Sequence, residues 1–547
     1  MNQTVLNIPL PYEPEETHPA RYINQLVEEL KIKNAYQFGR PRTYDLSAML
    51  KLVLFAYTRG ISSSRQIERF ARENKPAGWL TMDQVPSYRT ICRFRVSEEL
   101  TTLVESGLAE LTTFLRKNNL IDDVSFIDGT KILADANKFT FVWKKNTVRF
   151  DKMNREQLEI LLGELYHARL VDKVPANSEL DPKYLNTVIN VVEDRLVVLD
   201  EEVEQTKKVS PNPAKQQRRT LKAQKRKLIE RRDKMIEHQV QQTNFKDRNS
   251  YSKTDHDATF MRVKEDPMLN GQLKPAYNLQ LATSNQFITG FDIFQNPTDT
   301  RTLPTFLTQL KSQNALGTII VADAGYGSES NYRYCEDELD EHTVLIPYGT
   351  MLKENSRKWR SDDRKVMNWH YCEIDDYYLD PKGVRFNFKY YSHRKDKYGM
   401  ERDFKVYEAE KFDENRRLIP DALTPKRRLR KISVNEDWEY FKAKERELLS
   451  APDTGKIYAR RKIDVEPVFG KLKGYLHFRR FSVRGLDKVK KEAGIMVMAL
   501  NILKLASLQV KYPISDHRKN GSQNQSSVLK SIFHLAVTCV TASFLLW

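Results

Sequence analysis

Apolar positions change rhythm several times along this chain, and each change marks a new element. Between residues 21 and 120 they recur at helical spacing. Met49, Leu50, Val53 and Leu54 define one helix, which Gly60 closes. Ser63 and Gln66 predict a capping box opening a second helix that carries Ile67, Phe70 and Ala71. Pro86-Ser87 starts another, with Arg89, Arg93 and Arg95 beside Ile91 and Phe94. At Val124 the pattern becomes that of a buried strand. VSFIDGTKILADAN predicts a strand ending near Asp128, a turn at Asp128-Gly129 and a second strand.

Residues 151–246 return to helical spacing with dense charge. Leu221, Leu228 and Met235 fall seven apart among lysines and arginines, which predicts a helical hairpin broken at SPNP, 210–213. Strands are expected at 276–282 and 287–293, joined through Thr283, Ser284 and Asn285, and a helix at 304–310. GTIIVADAGYGSESNY then reads as a short apolar strand stopping at Asp323, and TVLIP as another. Between 350 and 455, Val384, Phe386, Phe388 and Tyr390 alternate with polar residues, the spacing of half-buried strands in a β-rich insertion. A helical section covers 465–510, followed by a polar linker and an apolar tail, 528–547, which reads as a docking element rather than a bilayer span.

Composition adds a partner. The 547 residues carry 90 Lys and Arg against 73 Asp and Glu, a formal charge of +17, and an excess of this size favours a polyanion. The charged hairpin is read either as a solvated face or as lying along DNA. The helices of 21–120 suit either a helix-turn-helix reader of double-stranded DNA through Arg89, Arg93 and Arg95 or a bundle whose arginines face water. Four scattered cysteines without a CxxC pair argue against a disulfide framework and a structural zinc site, and fit a cytoplasmic protein. The polar, acidic start of the sequence does not read as a signal peptide.

Three acids stand in settings suited to phosphodiester chemistry. Asp128 closes one apolar run and Asp323 another, where Gly325 and Gly327 allow close backbone approach. Glu466 in DVEPVFGKLK reads as a helix entrance, since Pro467 is tolerated at the first helical position. Two divalent ions about 4 Å apart activate the attacking oxygen and stabilise the leaving one, and Mg²⁺ takes carboxylate oxygens for the purpose. Carboxylates at two strand ends and one helix start converge in an RNase H-like fold, so the expected class is α/β with a mixed sheet and flanking helices.

FIDGTKI, VADAGYGSE and YARRKIDVEPVFGKLK resemble the three catalytic blocks of DDE-class transposases of bacterial insertion sequences. The insertion-sequence 1182 group is the nearest in kind, and GRPRTYDLSAMLKLVLFAYTRGISSSRQIE resembles its helical N-terminal domain. The resemblance covers about residues 20–510. It implies Asp128, Asp323 and Glu466 as ligands of two Mg²⁺ ions, with Mn²⁺ as substitute. Tyr458, Arg461 and Lys473 would hold phosphates of the element end. The gap from Arg461 to Glu466 is one residue longer than the family pattern, which leaves Lys462 as a second candidate for the arginine's role.

The expected organisation is an arm (1–20), a helical DNA-binding domain (21–120) and a catalytic domain built from 121–150, 247–349 and 456–510. Inserted in it are the charged helices (151–246) and the β-rich segment (350–455), and a linker and tail follow (511–547). The expected activity is cleavage at terminal inverted repeats and strand transfer into target DNA by a homodimer assembled on DNA, without a membrane. A nuclease of the same fold that only hydrolyses, and a catalytically defunct DNA-binding protein, remain open. His370, Cys372 and His393 lack the paired spacing of a zinc site. Asp255 and Asp257 in KTDHDA are further acids that could approach the centre.

Overall fold

The structure is a computed structural model that describes residues 12–511, apart from 16–17, 30–31, 33–42, 177–178, 207–210 and 265–270. The expected linker and tail, most of the arm, and part of the GRPRTYDLS motif lie outside the described residues.

The described residues begin with helices α1 (Pro19–Glu29), α2 (Leu46–Thr58), α3 (Ser64–Glu73), α4 (Lys75–Thr81), α5 (Tyr88–Phe94) and α6 (Glu98–Lys117). Helix α2 is apolar all round because α1 and α4 enclose it from within the bundle and the last long helix of the chain encloses it from outside. Asp45 caps it, accepting from the amides of Ser47 and Ala48, and Gly60 follows at φ +73°, a conformation glycine adopts without cost. The capping box expected for α3 does not form: Ser63 occupies the cap position without a side-chain hydrogen bond.

Strand β1 (Val124–Leu133) runs through Asp128-Gly129 without the expected turn. Strand β2 (Phe141–Trp143) then leads into α7 (Lys144–His167), α8 (Pro182–Gln205) and α9 (Pro213–Phe245), and β3 (Ser250–Ser252) pairs antiparallel with β2 to close the neck of this excursion. The charged hairpin is thus α8 and α9, and α7 joins it as a third helix around a shared leucine-rich core that includes Leu221, Leu228 and Met235. Much of the positive charge of α9 is matched within the bundle. Arg218 and Lys222 meet Asp200, and Lys225 meets Glu193, both acids on α8.

The central sheet comprises β1, β4 (Thr259–Arg262), β5 (Leu273–Ser284), β6 (Phe287–Phe294), β7 (Ile319–Ala322) and β8 (Thr343–Leu345). Strand β5 pairs antiparallel with β1 along one edge and with β4 and β6 along the other, while β1, β7 and β8 are parallel. Asn285 and Gln286, both at positive φ, make the two-residue β5–β6 turn, one position later than the expected turn. Helices α10 (Leu303–Ser312) and α11 (Glu329–Glu338) cover one face. This is an α/β fold with an RNase H-like mixed sheet.

Two single-turn helices, α12 (Met351–Glu354) and α13 (Arg357–Arg360), lead into the second excursion. Its antiparallel sheet contains β9 (His370–Cys372), β10 (Tyr377–Leu379), β11 (Arg385–Lys395), β12 (Glu401–Ala409) and β13 (Lys431–Val434). A bulge between Phe388 and Tyr390 breaks the simple alternation expected there. His370 and Cys372 lie on the edge strand β9, and His393 pairs with Asp403 instead.

Helices α14 (Glu436–Ser450), α15 (Pro452–Ala459), α16 (Arg461–Gly470) and α17 (Leu486–Lys511) are the last elements among the described residues. Glu445 of α14 is buried and accepts a hydrogen bond from the Ile346 amide. Burial pushes its carboxyl from its ordinary 4.5 up to about 8. The folded chain therefore holds a proton that the unfolded chain releases. The resulting stabilisation is full below pH 4.5, declines as pH rises and is lost above about pH 8. Glu445→Gln keeps an acceptor for Ile346 and is expected to remove that decline. Urea midpoints of both proteins at about pH 5 and about pH 9 check it, and identical pH slopes would refute it.

No helix among the described residues is long and apolar enough to cross a membrane.

Candidate active site

Asp128 and Asp323 are brought together by the parallel pairing of β1 with β7. Ile127 is in register with Ala322, so the next residue of each strand carries a carboxylate at the same level of the sheet. Their mutual repulsion shows in the titration of Asp128. Burial first, and then the Asp323 charge, push its carboxyl from 3.8 up to about 6, against the opposing pull of Arg461. Each aspartate also accepts from a nearby amide: Asp128 Oδ1 from Gly129 at 2.7 Å and Asp323 Oδ1 from Gly325 at 2.8 Å.

Arg461 opens α16 and donates to Asp128 Oδ2 at 3.0 Å, in a pair that is mostly shielded from solvent. Tyr458, the last turn of α15, adjoins the same group: Arg461 and both aspartates act on its hydroxyl, and burial raises its pKa. Arg461 rather than Lys462 therefore faces the carboxylates, and Lys462 is exposed. Lys264 adds a further positive charge felt by Asp128.

Glu466 departs from expectation. It is the sixth residue of α16 rather than its entrance, and Pro467 is inside the helix. Proline there leaves the Ile463 carbonyl without its usual amide partner, and the Gln286 side chain supplies one at 3.1 Å. That substitute, together with buried Asp464 accepting from Thr283 at 2.7 Å and from the Gln286 amide at 3.2 Å, docks α16 on the β5–β6 turn. Glu466 lies five positions after Arg461, about 140° around a helix. With Arg461 turned to Asp128, Glu466 is exposed. Among the described residues no three His, Cys, Asp or Glu side chains stand together in a manner that would hold a metal ion. Lys473 is half-buried in the widened π-helical turn over residues 471–475.

Of the arginines expected to face DNA, Arg89 and Arg93 are exposed on α5, whereas Arg95 is buried. Its guanidinium bonds Glu492 of α17, Tyr57 of α2, Ser64 and Ser482, so it ties the N-terminal helices to the end of the chain. The reading of Arg95 as a DNA contact is corrected on that ground: a guanidinium enclosed by a carboxylate and three hydroxyls has no face left for a phosphate. Asp255 and Asp257 are likewise structural. Asp255 accepts from Tyr277 at 2.8 Å and from the Gly485 amide at 3.2 Å, and Asp257 accepts from the Leu486 amide at 3.0 Å, holding the start of α17.

The donor set of the aspartate pair suits a hard divalent cation: two carboxylates whose repulsion a cation would relieve. A polyanionic substrate would be drawn by Arg461 and Lys264 beside them. Both properties agree with the family comparisons. The family model described as Transposase DDE domain matches residues 248–502, which contain β5, β7 and α16. The one described as Transposase domain (DUF772) matches residues 10–97, the first helices. Asp128 lies outside both matched ranges, yet its strand is inserted between β5 and β7 of the first. No curated protein matches the chain, and no solved structure does. A DDE domain on an RNase H-like sheet, preceded by a transposase-specific helical domain, places the chain among the DDE-class transposases of insertion sequences, a family that uses divalent metal ions to act on DNA.

Proposed function

We propose that this transposase cleaves DNA at the ends of its insertion element and joins the freed 3′-hydroxyl to target DNA, using Mg²⁺ held by Asp128 and Asp323, with Glu466 as the third carboxylate. The observation that carries this reading is the meeting of Asp128, within β1, and Asp323, just past the end of the neighbouring β7, beside Arg461. When bound, Mg²⁺ neutralises charge at the scissile phosphate and makes water or a hydroxyl a better nucleophile at neutral pH.

The chain's own residues bind and orient. Arg461 presents a planar fork that suits a phosphate as well as it suits Asp128 Oδ2. A DNA phosphate at this point competes for the guanidinium, and its capture leaves that carboxylate oxygen for metal. Because Arg461 and Glu466 share α16, the same competition gives the helix a reason to shift and bring Glu466 toward the pair. Tyr458 and Lys473 extend the phosphate-binding side, and exposed Arg89 and Arg93 offer a second contact with the duplex. Two copies would hold two element ends together.

A labelled element end incubated with Mg²⁺ and plasmid target tests the reading. The expected result is a nicked end and a labelled plasmid joined product. Nicking without joining would replace the reading with that of a hydrolytic nuclease. DNA binding without nicking would make the protein a catalytically defunct binder.

A further inference from the structure

A buried polar chain crosses the central sheet directly behind the paired aspartates. Gly129 follows Asp128 on β1 and is in register with Gln280 of β5. With no side chain at 129, the Gln280 amide lies across β1: a Cβ built on Gly129 would sit 2.2 Å from Gln280 Nε2 and 2.8 Å from Asp299 Oδ1. The Gln280 carbonyl oxygen accepts from the hydroxyl of Tyr326, in the loop that follows Asp323. Its amide nitrogen donates to Asp299 Oδ1 at 3.0 Å and to Asn278 Oδ1 at 3.1 Å, and Asn278 donates to the same Asp299 oxygen at 2.7 Å. Gln280 and Tyr326 are fully buried.

The Asp323 loop is tied to the same acid's segment a second time. Thr300 Oγ1 donates to the Gly325 carbonyl at 2.9 Å, and Asn331 Nδ2 donates to the carbonyls of both Thr300 and Tyr326, at 2.9 and 2.7 Å. Asp323 stands just past the four-residue strand β7, which has too few ladder bonds to fix the loop beyond its end. Polar groups this deep persist only when satisfied, and here each is satisfied by a residue of another element. The chain of bonds thus connects the strand beside Asp128 to the loop that carries Asp323.

We infer that Gln280, Tyr326 and Asp299 form a positioning brace that sets the separation of Asp128 and Asp323 for metal binding. None of the three would touch the ion, and the brace rests on the reading of the two aspartates as ligands. The geometry also gives a reason for the glycine after Asp128 that is distinct from a turn: it is the gap through which Gln280 passes.

The test titrates Mn²⁺ into the full-length protein and follows binding by electron paramagnetic resonance, with thermal midpoints recorded alongside. Tyr326→Phe removes one oxygen and keeps the ring, and Gly129→Ala displaces Gln280 from the other side. Both are expected to raise the Mn²⁺ concentration for half-saturation about 10- to 100-fold at temperatures where the variants remain folded. Asp323→Asn serves as reference and is expected to abolish the binding. Wild-type half-saturation in both brace variants, with Asp323→Asn silent, would overturn the brace and leave the ligand reading standing. Unchanged binding in Asp323→Asn would overturn both.

Discussion

Asp323→Asn is expected to slow nicking of an element end by about a thousandfold or more, since a lost ligand forfeits several kcal/mol of transition-state stabilisation. DNA affinity should not fall, because the substitution removes a negative charge from a surface that phosphates approach. The same change should stabilise the metal-free protein. Asp128 is held at about 6 partly by the neighbouring Asp323 charge, so deleting that charge returns its carboxyl toward the ordinary 3.8. The gain is present above about pH 6, where Asp128 is ionised in the folded chain, and fades as pH falls and the proton removes the repulsion anyway. About 1 kcal/mol, or roughly 2–4 °C in melting temperature for a domain of this size, is the expected scale. Gel-based nicking assays and melting curves at about pH 8 and about pH 5 measure both effects. A variant that nicks at the wild-type rate would remove Asp323 from the centre.

Arg95→Met should cost about 3–5 kcal/mol of unfolding free energy, because it leaves the buried Glu492 carboxylate without its cation. Replacing both partners with apolar residues should recover most of the loss, since no uncompensated charge then remains. Denaturant titration of the single and double variants provides the comparison. DNA binding separates this role from the one the sequence suggested. The dependence of DNA affinity on salt should be unchanged in a folded Arg95 variant, whereas Arg93→Ala should reduce that slope by about one. A stable Arg95 variant with a diminished slope would restore Arg95 to the DNA surface.

The readable parts of the chain were those in which local pattern and burial coincide. The first four residues of β1 and the last three of β7 are buried, so they appear as short apolar runs, and the aspartate that follows each run is conspicuous. The β-rich insertion announced itself through alternation, and α9 through leucines and a methionine seven apart. What escaped depends on contacts between distant segments. Asp128-Gly129 has the composition of a turn, but its pairing with Leu281 and Gln280 of β5 carries the strand through it. Pro467 resembles a helix start because the side chain that satisfies Ile463 comes from Gln286, in another hairpin. Arg95 directly follows the helix that carries two exposed arginines, and the carboxylate that pairs with it belongs to α17, distant in sequence. Asn278 and Gln280 look like surface positions of a strand until their partners in other elements are seen.

The interruption of the central sheet by a helical excursion with a core of its own has a consequence for biogenesis. At ordinary translation speeds β1 leaves the ribosome about 10–40 s before β7, its parallel neighbour. During that wait α7, α8 and α9 have everything they need to fold, because their core is drawn from consecutive helices. The nascent sheet edge of β1 has no partner on that side until the Asp323 strand emerges, and α17, which closes the N-terminal helices, arrives last of all. The group of Asp128, Asp323 and Arg461 is therefore assembled only late in synthesis, and a product truncated before α16 would carry folded appendages around an incomplete site.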